Sequence, residues 1–308
     1  MKELAFVTGA SGFLGRHVAR CLAGRGFRVA GIGYDDWCGL SPADWGMDFW
    51  KTAPVTLESL ETLAKDAGEP AMVAHCAGGA SVAFSLSHPH EDFHSTVSTA
   101  VDVLEFARRR APAVRIVYPS SAAVYGAANV LPLSEDTPLA PISPYGLHKR
   151  IVEDLFLEYS TGWNVPTALV RFFSLYGEGL RKQLLWDACN KAREGVFTFF
   201  GTGDELRDWL HVSDAAELFH LAGQNAGAQC PIVNGGTGKG HSVRDILTQM
   251  GLLWLPRMVP QFSKVSKPGD PCHLVADIRH AQSMGFVPKV ELASGLAAYV
   301  RWFRKDLC

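Results

Sequence analysis

The sequence lacks a long apolar run, an excess of one charge and a paired set of cysteines. Its 308 residues carry 29 Lys and Arg against 31 Asp and Glu, so no electrostatic attraction to nucleic acid or to an anionic membrane is expected. No apolar run approaches the roughly 20 residues that span a bilayer, and nothing ahead of Leu4 resembles a signal peptide. The seven cysteines have neither paired nor metal-binding spacing, which predicts reduced thiols and no metal site. We therefore expect a soluble, cytoplasmic protein.

The first half of the chain alternates short apolar runs with segments of helical pattern. Strands are expected at 27–33, 71–78, 114–121 and 165–173, and helices at 12–24, 56–66, 91–109 and 145–160. This alternation predicts a parallel sheet covered by helices on both faces. Beyond 173 the pattern is less regular, and shorter helices are expected at 183–194, 213–223, 242–250 and 292–304. The sequence thus predicts a nucleotide-binding α/β domain and a smaller domain packed closely against it.

The segment TGASGFLG (8–15) places Gly9, Gly12 and Gly15 between a strand and an amphipathic helix. A tight turn at such a junction points free backbone N–H groups and the positive end of the helix at an anion. Glycine also lets the backbone approach a diphosphate closely. Taken alone, the pattern also fits a purely structural turn. Its position at the first strand–helix junction favours a dinucleotide-binding turn.

An acidic residue at the end of the second strand would bind the ribose hydroxyls of NAD. In GIGYDDW this residue is Asp35 or its neighbour Asp36, and Asp48 in GMDF is a second candidate, for the adenine edge. No Lys or Arg follows the strand directly to bind a 2′-phosphate, which favours NAD over NADP. A solvated loop explains the two adjacent aspartates equally well.

The segment SPYGLHK places Tyr145 and Lys149 four residues apart at the start of an expected helix, so both lie on one face. An ammonium group beside a phenol stabilises the phenolate and lowers its pKa from about 10. Such a tyrosine removes a proton from an alcohol while hydride leaves its carbon. The pair alone also fits a chance spacing on a surface. Ser121 ends the strand VRIVYPSS at the edge where ligands bind, and its hydroxyl would hold the substrate against Tyr145.

Six motifs occur in the order that one enzyme family shows: TGASGFLG, PSSAAVYG, SPYGLHK, RFFSLYGEG, LRDWLHVSDAA and PGDPCHLVADIRHAQSMGF. With them the chain resembles the extended short-chain dehydrogenase/reductases, and among these the NAD-dependent nucleotide-sugar epimerase and dehydratase family, from Lys2 to about Arg304. The resemblance implies an α/β fold, a Rossmann-type doubly wound parallel sheet with a smaller C-terminal α+β substrate domain. The NAD-binding domain is expected to cover 1–173 and about 211–236, and the nucleotide-sugar domain about 174–210 and 237–308.

The resemblance also implies a role for each matching residue. Tyr145 matches the catalytic base, Lys149 its partner, which also binds the nicotinamide ribose, and Ser121 the hydroxyl donor. The expected cofactor-binding residues are Gly9, Ser11, Gly12, Phe13, Leu14, Gly15, Asp35, Asp48, Ala77, Tyr145 and Lys149. The expected substrate-binding residues are Ser120, Ser121, Ser174, Arg207 and Lys267.

The expected grip on the substrate diphosphate depends on two basic residues. Arg207 matches the phosphate-binding arginine of the family, and its guanidinium suits phosphate oxygens; the alternative is a salt bridge to Asp204 or Asp208. Lys267 stands where many relatives have a second arginine, so it keeps the charge without the bidentate geometry. Ser174 replaces the asparagine that is usual at its position.

The residues after Ser121 distinguish the reactions known in the family. Related 4,6-dehydratases carry an Asp-Glu pair there, whereas this chain has Ala122 and Ala123, which transfer no protons. No cysteine stands where relatives that epimerise C3 and C5 have one, and Cys76 is expected to be a small core residue. His148, inside the Tyr–Lys motif, is expected to be a neutral spacer. The reactions that remain are 4-epimerisation through a 4-keto sugar and reduction of a 4-keto sugar, and the lack of a basic residue after the second strand favours the NAD-dependent epimerase.

Two other functions stay open at this point. One is an NADP-dependent reductase of a 4-keto nucleotide sugar, and the other is a non-catalytic dinucleotide-binding protein. A homodimer is a family expectation, with the apolar stripe of Ala100, Val103, Leu104 and Ala107 as its contact, although the same stripe also suits packing on the sheet. The three tryptophans within 35–50 are expected to anchor their loop to the protein body, with cover over the adenine as the alternative.

Overall fold

The computed structural model describes residues 2–34, 37, 39–127, 130–255, 258–265 and 273–306. The strands in these ranges are β1 (Leu4–Thr8), β2 (Arg28–Gly33), β3 (Phe49–Thr52), β4 (Met72–His75), β5 (Arg115–Ser121), β6 (Thr167–Phe172), β7 (Ser174–Tyr176), β8 (Thr198–Phe199), β9 (Leu206–His211), β10 (Ile232–Gly235), β11 (Gly240–Ser242) and β12 (Gln261–Phe262). The helices are α1 (Phe13–Gly24), α2 (Leu57–Ala67), α3 (Val82–Ser87), α4 (Pro89–Phe93), α5 (Thr99–Arg110), α6 (Pro144–Trp163), α7 (Gln183–Glu194), α8 (Val212–Gln224), α9 (Val243–Trp254), α10 (Arg279–Ser283) and α11 (Leu292–Asp306).

A parallel sheet of seven strands forms the centre of the described structure. Its strand order is β10-β6-β5-β4-β1-β2-β3, and its direction of travel reverses beside β1, as expected of a doubly wound fold. The central strand β1 is buried along its whole length. It pairs with β2 from Leu4 opposite Arg28 and with β4 from Ala5 opposite Met72. The predicted parallel α/β sheet is therefore confirmed.

Two apolar layers pack on the two faces of this sheet. One contains Val18 and Leu22 of α1 with Phe219 of α8. The other contains Leu104 of α5 and Phe156 of α6, with side chains of α2. The stripe of Ala100, Val103, Leu104 and Ala107 lies in this second layer and is fully buried within one chain. The alternative in which the stripe packs on the sheet is thus confirmed.

A smaller body of structure is built around a three-stranded sheet in the order β11-β9-β7. Its core includes Tyr176, Trp209, Tyr299 and Phe303, packed between α7, α9 and α11. The chain then returns from this body to the large sheet, where α8 packs against α1 and β10 pairs with β6. The proposed residue limits of the two domains stay a prediction. Among the described helices, none is long and apolar enough to cross a membrane.

The predicted elements of the first half correspond to observed ones within a few residues. The predicted helix at 91–109 is α4 and α5 joined through a π-helical turn, His94–Ser98. The sequence analysis missed the strands β3, β7, β8, β9, β10, β11 and β12 and the short helices α3 and α10. Each of these elements has six residues or fewer, which leaves little hydrophobic period to read.

The tryptophans of the loop after β2 are anchored in the body of the protein, as predicted. Trp37 and Trp45 are buried in the core cluster beside α1. The Arg20 guanidinium lies 3.8 Å from the centre of the Trp45 ring, and the rings of Trp37 and Trp50 meet edge to face at 4.7 Å. Together these contacts fix the loop on α1 and β3.

Candidate active site

The carboxyl ends of the central strands meet at one edge of the sheet, where open α/β folds bind ligands. Thr8 ends β1, His75 ends β4 and Ser121 ends β5. The Thr8 hydroxyl lies 2.7 Å from Nδ1 of His75 and accepts a hydrogen bond from the Ala77 amide at 3.2 Å. The loop after β4 is thus tied to the start of the glycine turn.

The glycine turn has a backbone that side chains would not fit. Gly9 has φ +61°, and a Cβ built on it would lie 2.8 Å from the backbone of Ala77. A Cβ on Gly15 would lie 2.2 Å from the carbonyl oxygen of Gly9. The Gly9 amide donates to the carbonyl of Ile32 at 2.8 Å. The turn is therefore packed tightly between β2 and the loop that carries Ala77.

Helix α1 begins directly after this turn, with Gly12 as its N-cap and no acidic residue in its first turn. The amides of Ser11, Phe13 and Leu14 belong to the exposed positive end of the helix, which attracts a diphosphate. Gly9, Gly12 and Gly15 leave room for it. These residues therefore fit the pyrophosphate of a dinucleotide.

Of the aspartates expected at the ribose and the adenine, the structure describes Asp48 only. Asp35 and Asp36 lie outside the described residues. Asp48 lies beside Val29, at the amino end of β2, where its carboxylate accepts a hydrogen bond from the Val29 amide at 2.8 Å. The glycine turn lies against the other end of β2, the carboxyl end, at Gly33. The structure thus does not bring Asp48 to the turn, because its carboxylate closes the opposite end of the strand.

The start of α6 presents Tyr145 and Lys149 to the same edge. Ser143 caps the helix by accepting a hydrogen bond from the Gly146 amide at 3.2 Å, and Pro144 occupies the first helical position. The Tyr145 amide donates to the Ser85 hydroxyl at 3.0 Å. This contact ties the first turn of α6 to α3.

Ser121 and Tyr145 are brought together by this arrangement. Ser121 stands at the end of β5, and its hydroxyl oxygen accepts a hydrogen bond from the Ala123 amide at 3.2 Å. Burial raises the pKa of Tyr145, and a hydrogen bond from Ser121 opposes the rise. The predicted meeting of Ser121 with Tyr145 is therefore present in the structure.

Lys149 lies in the same pocket but bonds to other groups. Its Nζ donates to the Tyr118 hydroxyl and to the Pro119 carbonyl, each at 2.9 Å. It stands 5.7 Å from the centre of the Tyr145 ring. Burial lowers the pKa of Lys149 to about 8. The lowered pKa expected for Tyr145 is not found in the structure, because burial outweighs the stabilisation of its phenolate.

Ser120 faces a different environment from Ser121. It is buried, and its hydroxyl donates to Oε1 of Glu153 at 2.5 Å. Glu153 in turn holds Arg171 through hydrogen bonds of 2.8 to 3.2 Å. Neighbouring residues on a strand point to opposite sides, and this contact takes Ser120 away from Tyr145. The structure therefore places Ser120 in a buried polar network rather than at the candidate substrate site.

The predicted phosphate-binding residues lie on the small sheet. Ser174 starts β7, two residues beyond Phe172, which is the strand partner of Ser121. Arg207 lies on the neighbouring strand β9, is buried, and donates from Nη1 to the Leu206 carbonyl at 2.9 Å. The topology thus places Ser174 and Arg207 beyond the same edge of the large sheet. Lys267 lies outside the described residues.

The two aspartates weighed as partners of Arg207 are occupied elsewhere. Asp204 pairs with Arg244 at 3.5 Å. The Asp208 carboxylate accepts hydrogen bonds from the amides of Thr237, Gly238 and Ala276 and from the Thr237 hydroxyl. Asp208 therefore joins β9 to the chain segments around it.

Sequence analysis missed a second buried pair beside the Tyr–Lys motif. Nδ1 of His148 donates to Oδ2 of Asp92 at 2.6 Å, and both side chains are buried. His148 is therefore not a neutral spacer. Its neighbour in sequence, Lys149, was the only signal that this position faces the site, and nothing in the sequence pattern marked Asp92.

The comparisons with known proteins agree with this geometry. The family model of the NAD dependent epimerase/dehydratase family matches residues 5–236. A UDP-glucose 4-epimerase of Azospirillum brasilense is 30% identical over 322 residues, which cover 94% of this chain and 88% of that protein.

Two solved structures are similar over almost the whole chain. A UDP-glucose 4-epimerase of Thermotoga maritima with UDP-glucose has a TM-score of 0.89 at 25% identity, covering 99% of this chain and 100% of that one. A protein named MoeE5, in complex with UDP-glucose and NAD, has a TM-score of 0.86 at 28% identity, with coverage of 99% and 100%. With the matched family model, these similarities lead to one conclusion: the chain belongs to the NAD dependent epimerase/dehydratase family.

Proposed function

We propose that Ser121, Tyr145 and Lys149 carry out the chemistry of sugar 4-epimerisation in this protein. The chain is an NAD-dependent nucleotide-sugar 4-epimerase, as its family and its relatives bear out, and its cofactor is NAD. The substrate proposed is a UDP-hexose, because the similar structures hold UDP-glucose. The observation that carries the proposal is that the end of β5, with Ser121, and the start of α6, with Tyr145 and Lys149, meet at one edge of the sheet. There Nζ of Lys149 bonds to the Pro119 carbonyl of β5 at 2.9 Å and lies 5.7 Å from the centre of the Tyr145 ring.

NAD, when bound, would supply the acceptor for hydride from the sugar C4 and the source of the hydride that returns to the opposite face of C4. Tyr145 takes the proton of the 4-hydroxyl group and later gives it back. Ser121 binds the same oxygen and holds it against Tyr145. Lys149 presents a positive charge 5.7 Å from the Tyr145 ring centre and favours its phenolate. Because both proton and hydride are returned, the reaction leaves no net oxidation.

Residues outside this triad would bind the rest of the ligands. The amides of Ser11, Phe13 and Leu14, with Gly9, Gly12 and Gly15, would hold the cofactor diphosphate. Ala77 lies against Gly9 and would line the nicotinamide side. Arg207 would bind the substrate diphosphate from β9, with Ser174 beside it and Lys267 as a further cation. Asp35 remains the proposed partner of the adenosine ribose.

The test of the triad is Tyr145→Phe, assayed by the interconversion of UDP-glucose and UDP-galactose. Removal of the proton-transferring group is expected to lower kcat by about 10²–10⁴-fold. Tyr159→Phe is the matched control, since Tyr159 lies on the same helix and its hydroxyl bonds only to Glu105 among the described residues. Mass spectrometry of dinucleotide released from denatured protein is expected to find NAD in both variants. Wild-type turnover in Tyr145→Phe, or tightly bound NADP, would refute this assignment.

We further propose a homodimer and a cytoplasmic location. The buried stripe of α5 is excluded as the dimer contact, but Phe93, Leu147 and Leu157 are exposed apolar side chains of α4 and α6. The cysteines Cys21, Cys76, Cys189 and Cys230 are free thiols, which suits a reducing compartment. Sedimentation at micromolar concentration tests the dimer, and fractionation of the source cells tests the location.

A further inference from the structure

The pair of Asp92 and His148 lies at the base of the candidate active site. Asp92 is fully buried in α4, and His148, 7% exposed, directly precedes Lys149 in α6. The 2.6 Å bond uses Oδ2 of Asp92. His148 carries a proton on Nδ1 to make this bond, and the ring packs edge to face on Phe93 at 5.4 Å. The pair therefore joins α4 to the turn of α6 that carries Lys149.

The second oxygen of the Asp92 carboxylate has a different environment. Oδ1 is buried and has no hydrogen-bond partner among the described residues. It lies against Gly79, where a Cβ would come within 2.1 Å of it. The Gly79 amide donates instead to Oγ1 of Thr96, at 2.9 Å, in the π-helical turn. A carboxylate buried in this way has unusually little local compensation.

The charges around Lys149 show what Asp92 can act on. Burial lowers the pKa of Lys149, and the Asp92 charge is the largest influence that raises it. Cys76 beyond β4 and Glu153 on α6 act in the same direction with smaller effects, whereas Lys182 ahead of α7 opposes them. The buried imidazole of His75 lies on the other side of the Tyr118 ring and keeps a pKa of about 3 because of burial and the Lys149 charge.

The Asp92 charge also acts on the two phenols of the site. It raises the pKa of Tyr145, after the effects of burial and of the Ser121 hydrogen bond. It raises the pKa of Tyr118 as well, with burial as the main cause. One buried negative charge thus influences the proposed base and its cationic partner together.

We propose that Asp92 is a positioning residue for the reaction: its buried carboxylate, oriented by His148, is the counter-charge that keeps Lys149 an ammonium ion while Tyr145 exchanges its proton. The inference rests on the proposed roles of Tyr145 and Lys149. Asp92 is fully buried and acts through the charge state of these two residues. Gly79 provides the space that the carboxylate occupies.

The alternative is that the pair only fastens α4 to α6. The two readings differ in how the pH dependence of kcat/KM responds to loss of the charge. The pKa of Lys149 is about 8 with the Asp92 charge present and falls without it, so the ammonium is lost at lower pH and the alkaline limb moves down. Burial raises the pKa of Tyr145 from its ordinary value near 10, which places its titration above the assayed range, so the readout is the alkaline limb. A fastening role alone would lower activity at every pH and leave the alkaline limb in place.

The experiment compares Asp92→Asn with His148→Gln, each loaded with NAD and assayed with UDP-glucose from pH 5 to 10. Asp92→Asn keeps the shape of the side chain and loses its charge, and the alkaline limb set by Lys149 is expected to move to lower pH by about 0.5–1 unit. His148→Gln keeps the carboxylate, so its alkaline limb is expected to stay within about 0.2 units of the wild type. An unchanged alkaline limb in an active Asp92→Asn enzyme would overturn the inference.

Two further outcomes are distinguishable. If Asp92→Asn does not fold, the double variant Asp92→Leu/His148→Leu removes the charge and its partner together, as buried ion pairs often tolerate, and the same shift is expected of it. Failure of both proteins to fold would overturn the inference in favour of a fastening role. Full activity of Tyr145→Phe would instead refute the proposed function, independently of the Asp92 result.

Discussion

Two buried carboxylates form hydrogen bonds at helix α6, one from its own Glu153 and one from Asp92 of α4, and they differ in how completely their oxygens are bonded. Glu153 accepts from Ser120 and from Nε and Nη2 of Arg171. Asp92 accepts from His148 through one oxygen, and its other oxygen has no partner among the described residues. A fully bonded buried pair specifies structure, whereas an incompletely bonded charge is retained at a cost in stability. The comparison separates a part of α6 that holds the fold from a part that serves the site.

The network around Glu153 extends well beyond one pair. Arg171 also donates to the Tyr125 hydroxyl and to the Glu135 carbonyl, and Tyr125 donates to Asn234 on β10. Side chains of α6, β6 and β10 are thus linked in one buried set. Within the part of the chain that the structure describes, nothing comparable extends from the Asp92 carboxylate, which contacts His148 of α6 and Gly79.

The largest loss of stability is expected from Glu153→Gln. It leaves the Arg171 guanidinium buried without its counter-charge, which is expected to cost about 3–5 kcal/mol of unfolding free energy. Urea denaturation measures it. Asp66→Asn is the control, because Asp66 pairs with Lys51 at the surface and is expected to cost less than about 1 kcal/mol. Equal losses in the two variants would contradict the assignment of Glu153 to the fold.

The buried imidazole of His75 differs from that of His148 in its hydrogen-bond partner. His75 has Thr8 as its hydrogen-bond partner and no carboxylate, and burial lowers its pKa to about 3. The unfolded state, with a pKa near 6.5, takes up the proton first, so stability is complete above about pH 6.5 and falls as the pH decreases towards 3. At pH 5 this amounts to about 2 kcal/mol for one such group.

His75→Asn removes this titration and is expected to flatten the fall in stability between pH 7 and pH 5 by about 2 kcal/mol. Half-buried His17, whose pKa is also lowered to about 3, mainly by desolvation, still titrates in the variant, so part of the fall remains. Chemical denaturation at several pH values measures the difference. An unchanged fall between wild type and variant would show that His75 does not titrate as described.

The smallest change in stability is expected from Asp92→Asn. The wild-type carboxylate already has one oxygen without compensation, so loss of its charge is expected to alter the unfolding free energy by no more than about 1 kcal/mol. The same urea series that measures Glu153→Gln provides the comparison. A loss as large as that of Glu153→Gln would place both carboxylates in the service of the fold.

The part of the site that the sequence predicted is the part carried by backbone geometry and fixed spacing. Gly9 and Gly15 are required by close contacts of the main chain, and Tyr145 and Lys149 follow from helical period. Asp92 was missed because its meeting with His148 joins residues 56 positions apart, which no local pattern records. Ser120 was misplaced for a related reason: its partner Glu153 is on another element. The strands of the fold were found where apolar runs were long, whereas the missed strands have six residues or fewer, and the longest of them, β9, contains two charged residues.

The return of the chain to the large sheet at β10 has a consequence for dissection of the protein. The polypeptide leaves that sheet after β6, forms β7, α7 and β9, comes back for α8 and β10, and leaves again at β11. A fragment ending at 173 would lack its edge strand and the helix that covers α1. Segments of the two bodies therefore alternate along the sequence. Dividing the polypeptide at one position does not yield the two bodies as separate fragments. A working fragment pair would have to be co-expressed, with the break placed in a loop such as that between β10 and β11.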